Sequence, residues 1–234
     1  MRLELEGAVG DRRFLLVDEN GCLYNAKRHG PLVGVQARFD PGATTLELRF
    51  PDGAVVAGEV ATDGAVDTTY YGSSQVADAV VGPWSDALSS FAGATIRLVR
   101  PRDFRATDRG SDGGVSLVST AALDVLGEHA GCDTVDGRRF RMLFGVDGIG
   151  PHTEERWLGG RVRIGEAVAQ LHGNVGRCAV TTQHPDTGIA DLDTLKTIKS
   201  YRDHVPTSEP LPFGVYGEVV EPGTVRLGDE IVPL

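Results

Sequence analysis

Apolar and polar positions along this chain fall mostly into short runs with the two-residue period of half-buried strands. Phe14 to Val17 is a brief apolar run that ends in the turn residues Asp18-Glu19-Asn20-Gly21. Thr45-Leu46-Glu47-Leu48-Arg49-Phe50 alternates, meets Pro51-Asp52-Gly53, and resumes as Ala54-Val55-Val56. That pattern predicts a hairpin, because proline pre-sets one turn dihedral and glycine accepts a positive one. A second hairpin is predicted where Tyr216 to Val220 and Thr224 to Leu227 flank Glu221-Pro222-Gly223. Val162-Arg163-Ile164-Gly165-Glu166 is echoed by Val225-Arg226-Leu227-Gly228-Asp229. Five residues are too few for a repeat, and two similar corners of one β-barrel account for them.

Helical periodicity is rarer. Ser74 to Phe91 has helical composition, interrupted at Gly82-Pro83. Ser119-Thr120 precede Ala121 to Ala130, and Gly131 stands where a C-terminal cap belongs. Asp191 precedes Leu192, Leu195, Ile198 and Tyr201 at i+3 spacing, which predicts one apolar helix face with an aspartate cap. The polar stretch Arg100 to Gly114 reads as a linker or mobile loop. It divides the chain into an N-terminal β-barrel-like domain over 1–100 and a second domain over 101–234; a long surface loop within one domain is the alternative. The expected class is mainly β, with barrel-like sheets and a few helices.

Composition narrows the functional classes. The chain has 234 residues, 24% charged and 41% hydrophobic, which suits a folded chain rather than a disordered one. Thirty-three acidic against 23 basic residues give a net charge of −10, which argues against non-specific binding to nucleic acid or an anionic membrane. No apolar run nears the roughly 18 residues of a membrane span, and the first residues lack a signal-peptide core. The expected compartment is the cytoplasm. The three cysteines, Cys22, Cys132 and Cys178, form no CxxC pair, so no iron–sulfur cluster or zinc ribbon is expected in this chain. Lys27, Lys196 and Lys199 are its only lysines, which leaves few candidates for Schiff-base chemistry.

The segment Gly176-Arg177-Cys178-Ala179-Val180-Thr181-Thr182 carries the most suggestive chemistry. An arginine beside a cysteine stabilises the thiolate, which is a nucleophile and a soft metal ligand. The alternative is a small core residue, the usual state of a free cysteine and the one expected for Cys22 and Cys132. His172 and His184 lie six positions to either side of Cys178, a spacing that matches no compact zinc motif. His152-Thr153-Glu154-Glu155 lacks the second histidine of HExxH and reads as a solvated loop. Pro185-Asp186-Thr187-Gly188 reads as a β-turn. Neither a phosphate-binding Gly-Lys-Ser/Thr loop nor a GxSxG elbow is present. In Arg138-Arg139-Phe140-Arg141, a strand would put Arg139 and Arg141 on one face, where two guanidiniums could hold a phosphate; a strand with scattered surface charges is the alternative.

The order of these motifs resembles a known family. Arg139-Phe140-Arg141, Glu154-Glu155-Arg156-Trp157, Arg163-Ile164-Gly165-Glu166, Arg177-Cys178, Thr181-Thr182 and Pro185-Asp186-Thr187-Gly188 follow in sequence. Leu195-Lys196, Tyr201-Arg202, Phe213-Gly214-Val215-Tyr216 and Gly228-Asp229-Glu230 complete the series. From about Ser119 onward this resembles the MOSC domain, the C-terminal domain of molybdenum cofactor sulfurases, in the branch containing the amidoxime-reducing component. Gly10 to Asp18 is similar to that family's N-terminal β-barrel domain. The resemblance implies a molybdenum cofactor (molybdopterin) with a cysteine sulfur on the metal, matched by Cys178. It implies cofactor contacts at Arg13, Ser119, Thr120, Arg141, Gly176, Arg177 and Tyr216. The family's Arg-Pro-Asn is here Arg141-Met142-Leu143, so its asparagine contact is replaced. A Tyr-Pro-Val-Lys-Ser-like segment of relatives has no counterpart in this sequence. No pyridoxal phosphate is expected.

The activity implied is reduction of N-hydroxylated or N-oxide-type small molecules, with electrons from a separate ferredoxin- or cytochrome-type protein. The alternative is a carrier of the cofactor or of cysteine-bound sulfur, without turnover.

Overall fold

The computed structural model describes residues 1–102, 109–207 and 209–234. Residues 103–108 of the expected linker, and Ser208, lie outside the described residues. The chain forms two units. Unit one comprises Met1–Val9, Arg109–Pro185 and Ala190–Leu234; unit two comprises Gly10–Asp108 and Asp186–Ile189.

Strands β1 (Arg2–Glu4) and β2 (Gly7–Ala8) open unit one. Unit two carries β3 (Leu15–Asp18), β4 (Gln36–Phe39), β5 (Thr45–Arg49), β6 (Val55–Glu59), β7 (Ala61–Tyr70), β8 (Ser73–Val81), helix α1 (Trp84–Ala92) and β9 (Ile96–Pro101). Unit one resumes with β10 (Val115–Ser119), α2 (Thr120–Ala130), β11 (Phe144–Val146), β12 (Arg161–Ile164) and β13 (Ala167–Gly176). It ends with α3 (Thr194–Arg202), β14 (Pro212–Glu221), β15 (Gly223–Thr224) and β16 (Ile231–Pro233). The protein is mainly β, as its alternating runs predict.

Unit two holds two antiparallel sheets, β3-β9-β8-β7 and β4-β5-β6. The Pro51-Asp52-Gly53 turn joins β5 to β6 as expected, and Leu46 pairs with Gly58. The helix expected from Ser74 to Phe91 forms only beyond Gly82-Pro83. Ahead of it β8 is a strand, because β7 and β9 supply hydrogen bonds on both sides. Buried Ala77 and Val80 gain more there than helix propensity offers.

Unit one is built on a curled half-barrel of six strands, ordered β11-β10-β14-β13-β12-β16. One face buries Leu3, Val115, Leu117, Val162, Leu171 and Val215. The other side packs Val118, Phe140 and Phe213 against Ala122 and Leu126 of α2 and Ile198 of α3. Phe213 and Val215 would share a side in a regular strand. Gly214, at φ 80°, breaks the alternation and sends them into different clusters. A Cβ on Gly214 would lie 2.7 Å from the Leu117 carbonyl oxygen, so the close approach also requires glycine. Helix α2 ends at Gly131 (φ 74°) as expected, with the Cys132 N–H returning to the Gly127 carbonyl at 3.0 Å.

Three expectations are corrected. The C-terminal hairpin does not form: Gly223 pairs with Leu3 of β1, while β14 pairs with β10 and β13. The chain's first strand competes for that edge, and the Val225 N–H bonds the Met1 carbonyl at 2.9 Å. The cap of α3 is Asp193, whose side chain accepts from the Lys196 N–H at 3.1 Å, and not Asp191. Cys22 and Cys132 are exposed rather than buried. Each follows a glycine with positive φ that turns the chain. The two echoed corners abut: the Glu166 N–H bonds the Thr224 carbonyl at 3.1 Å, and Arg226 pairs with Glu166 at 2.9 Å.

Candidate functional site

Strand β13 delivers Gly176, Arg177 and Cys178 to one end of the half-barrel. Arg177 is buried, and its side chain is committed inward. Nε donates to the Phe213 carbonyl at 2.9 Å, and Nη1 to the Phe140 carbonyl at 3.0 Å. Nη2 reaches the Met142 sulfur at 2.9 Å and bonds Phe213 a second time. Burial pulls the Arg177 pKa down to about 9; a nearby Cys178 opposes the shift and Arg109 adds to it. That value stays above neutrality, so the guanidinium is cationic at pH 7. A charged donor therefore ties three segments together: the end of β13, the turn holding Phe140, and the start of β14.

Cys178 follows in extended backbone (φ −127°, ψ 176°) and is exposed. The core alternative for this residue does not hold. Its carbonyl accepts the Thr181 N–H and hydroxyl, both at 3.1 Å, which starts a 3₁₀ turn over Ala179–Thr182. The Thr181 hydroxyl meets that of Thr194 at 2.7 Å, anchoring the turn to α3. Among the described residues, no cluster of three potential metal-ligating side chains includes Cys178.

Arg139 and Arg141 do not share a strand face. The Asp136 carboxylate accepts the Arg138 N–H at 2.9 Å and starts a 3₁₀ turn over Gly137–Phe140. Arg139 is buried and makes a two-pronged pair with Asp191 at 2.7 and 2.9 Å. The Arg139 guanidinium, first among the causes, holds the Asp191 carboxyl below the usual carboxylate range. Arg141 caps the turn in left-handed backbone (φ 51°) with an exposed side chain. It stands one residue from Phe140, so Arg177 connects its position to that of Cys178.

Ser119 and Thr120 sit where β10 becomes α2. The buried Ser119 hydroxyl accepts the His152 N–H at 3.0 Å, and Thr120 donates to Asp147 at 2.7 Å. Tyr216 lies on β14 against Gly173, whose Cβ, if present, would lie 3.0 Å from the ring. Arg109 stacks over the ring, its Cζ 3.9 Å from the ring centroid, and donates to Glu209 at 3.0 Å. A Cβ on Gly176 would lie 2.6 Å from the other Glu209 oxygen, so glycine leaves room for that carboxylate. Arg109 escaped sequence reading because it looked like one charge in a polar linker. Arg13 belongs to unit two, just ahead of β3. Pro185 to Thr187 form a turn, as expected.

The segment expected as a solvated loop, His152 to Glu155, is instead half-buried and starts a 3₁₀ turn over Thr153–Trp157. Glu154 is fully buried. Arg202 ion-pairs with Glu155 and donates to the Pro212 carbonyl at 2.8 Å. The His152 ring packs edge-on against Phe213 at 5.3 Å, and Nε2 lies 3.4 Å from the Tyr201 hydroxyl. Long-range packing buries this polar segment, which no local pattern announces.

Burial first, then the Arg202 charge, lowers the His152 pKa to about 3. An unfolded histidine titrates near 6.5. The unfolded chain therefore takes up a proton below about pH 6.5 that the folded protein refuses down to about pH 3. His152 contributes stability that is present above pH 6.5 and lost on acidification, by up to about 1.4 kcal/mol per pH unit. Glu155, raised by burial, works in the opposite direction. Comparison with His152→Gln isolates the histidine. Urea unfolding of both proteins at pH 7, 6 and 5 should show the wild type losing its advantage as pH falls. A stability difference independent of pH would refute the assignment.

The MOSC domain family model matches residues 91–232. Mitochondrial amidoxime-reducing component 1 of Mus musculus is 29% identical over 249 residues, covering 96% of this chain and 72% of that protein. The Homo sapiens protein of the same name is 24% identical over 253 residues, covering 96% and 73%. Molybdenum cofactor sulfurase of Oryza sativa subsp. japonica is 36% identical over 70 residues, covering 29% of this chain and 8% of that one.

Proposed function

The chain belongs to the MOSC domain family, and on that footing we propose that it is a molybdenum-cofactor oxidoreductase that reduces N-hydroxylated or N-oxide-type small molecules. The observation that carries the proposal is Cys178, an exposed thiol at a strand end that the buried Arg177 holds in place. The donor set fits the group. A cysteine sulfur suits a soft, thiolate-binding metal, and Arg141 offers an exposed guanidinium for a pterin phosphate. When bound, the molybdenum cofactor supplies two-electron oxygen-atom transfer.

The protein's share is binding and orientation. Cys178 binds as the thiolate. Arg177 positions it from beneath and sets the turn that presents Arg141. Ser119 fixes the loop beside the start of α2, and the first N–H groups of a helix favour an anion. Gly176 leaves room for the Glu209 carboxylate beside the strand end that carries Cys178, and Tyr216, stacked with Arg109, supplies an aromatic ring on the neighbouring strand. The chemistry is assigned to residues 101–234. The names of the two mammalian relatives, amidoxime-reducing components, support the substrate class; electrons are assigned to a separate ferredoxin- or cytochrome-type protein.

Metal analysis tests the assignment. Protein purified from a host that makes the cofactor should hold near-stoichiometric molybdenum and pterin, and Cys178→Ala should hold much less metal. A metal-free wild type beside a loaded control enzyme would overturn it.

The exposure of Cys178 and the local match to the rice sulfurase favour one second reading, a carrier of cysteine-bound sulfur. Incubation with a persulfide donor followed by mass spectrometry separates the two. A lasting single added sulfur on Cys178, without reductase activity, supports the carrier.

A further inference from the structure

Strands β13 and β14 slip register three times, and the middle slip falls at His172. Leu171 faces Gly217, but Gly173 faces Tyr216, so His172 is the extra residue of a β-bulge. Bulges re-aim side chains, and this one brings His172 Nε2 to 3.3 Å from Glu218 Oε1. A third group arrives from a separate element. Asp112 lies in the 3₁₀ turn Gly110–Gly113, which packs on β14. Its carboxylate and the other two ligand atoms all lie within 4.8 Å of one another. Three segments far apart in sequence thus converge one nitrogen and two oxygen donors.

We propose that Asp112, His172 and Glu218 bind a divalent transition-metal ion of the zinc type. The donor set selects the class. One imidazole with two carboxylates suits zinc, cobalt or nickel. It lacks the thiolates that soft copper(I) prefers and the six to eight oxygens that calcium requires. Geometry agrees with the chemistry. Zinc–ligand bonds of about 2.0–2.1 Å in a tetrahedron set neighbouring ligand atoms about 3.3 Å apart. His172 and Glu218 already stand at 3.3 Å. The Asp112 side chain is exposed, and its carboxylate stands within 4.8 Å of both. A fourth position stays open to water.

The ion would pin the turn that carries Asp112 onto β14, three residues beyond Arg109. Arg109 in turn covers Tyr216. Occupancy is therefore expected to steady the Arg109–Tyr216 stack without touching Cys178.

Zinc titration by calorimetry tests this in the 234-residue chain with Cys22, Cys132 and Cys178 all changed to serine, which removes competing thiols. One zinc per chain should bind. His172→Ala and Asp112→Asn should each weaken binding at least about tenfold. Zinc should also raise the melting temperature of the parent and not that of the His172→Ala protein. If His172→Ala fails to fold by circular dichroism, Glu218→Gln takes its place with the same expected loss. Absence of binding in the thiol-free protein would overturn the site. So would an affinity unchanged by substitution of Asp112 and of His172 or its replacement Glu218.

Discussion

Cys178→Ser is expected to cut turnover of an N-hydroxylated amidine on the order of 10³-fold, the scale of losing a group that touches the reacting centre. It should leave the unfolding midpoint within about 0.5 kcal/mol of wild type. The two halves have separate causes. Serine keeps the size of the side chain but replaces a sulfur that binds metal as thiolate with a hydroxyl that stays protonated. The structural role of position 178 is carried by its backbone carbonyl, which starts the Ala179–Thr182 turn, and serine keeps that carbonyl. Steady-state kinetics on cofactor-loaded protein, with an artificial electron donor, decides the first half, and thermal unfolding decides the second. Full turnover by the variant would remove Cys178 from the chemistry.

Arg177→Met should show the converse pattern in stability, with a loss of about 3–5 kcal/mol. Methionine fills much of the volume but donates nothing. The Phe140 and Phe213 carbonyls would lose their charged donor inside the protein, and each stranded acceptor costs about 1–3 kcal/mol. Arg177→Lys should fall between, since one ammonium cannot reproduce a fork that spans two carbonyls and a sulfur. Denaturant unfolding at pH 7 measures both. A loss below about 1 kcal/mol for Arg177→Met would mean that water or a rearranged neighbour replaces the guanidinium. A large loss would establish Arg177 as a positioning residue, acting on Cys178 and Arg141 through the segments it binds.

The contrast between adjacent residues shows where sequence reasoning reaches and where it stops. Adjacency of arginine and cysteine is visible in the chain and suggests a perturbed thiol. It does not say which way the arginine points. Burial turns Arg177 inward to backbone carbonyls and leaves Cys178 outside. The same limit applies to Arg139 and Arg141. An Asp136-capped turn replaces the strand that would have aligned them, and Asp191, expected as a helix cap, takes Arg139. Arg109 and His152 carried no usable signal. One lay in a polar stretch and the other in a segment that looked solvated.

Local chemistry fixed what the sequence by itself could determine: the mainly β class, the Pro51-Asp52-Gly53 hairpin and the end of α2 at Gly131. Each depends on neighbours within a few positions, where turn dihedrals and side-chain period act directly. Tertiary structure decided the rest. It chose the strand over the helix at β8, gave the last edge to β1, buried Glu154, packed His152 against Phe213, and bent β13 so that His172 meets Glu218. Those outcomes depend on which distant segments compete for the same hydrogen bonds and the same dry space. Chain order alone does not specify that competition.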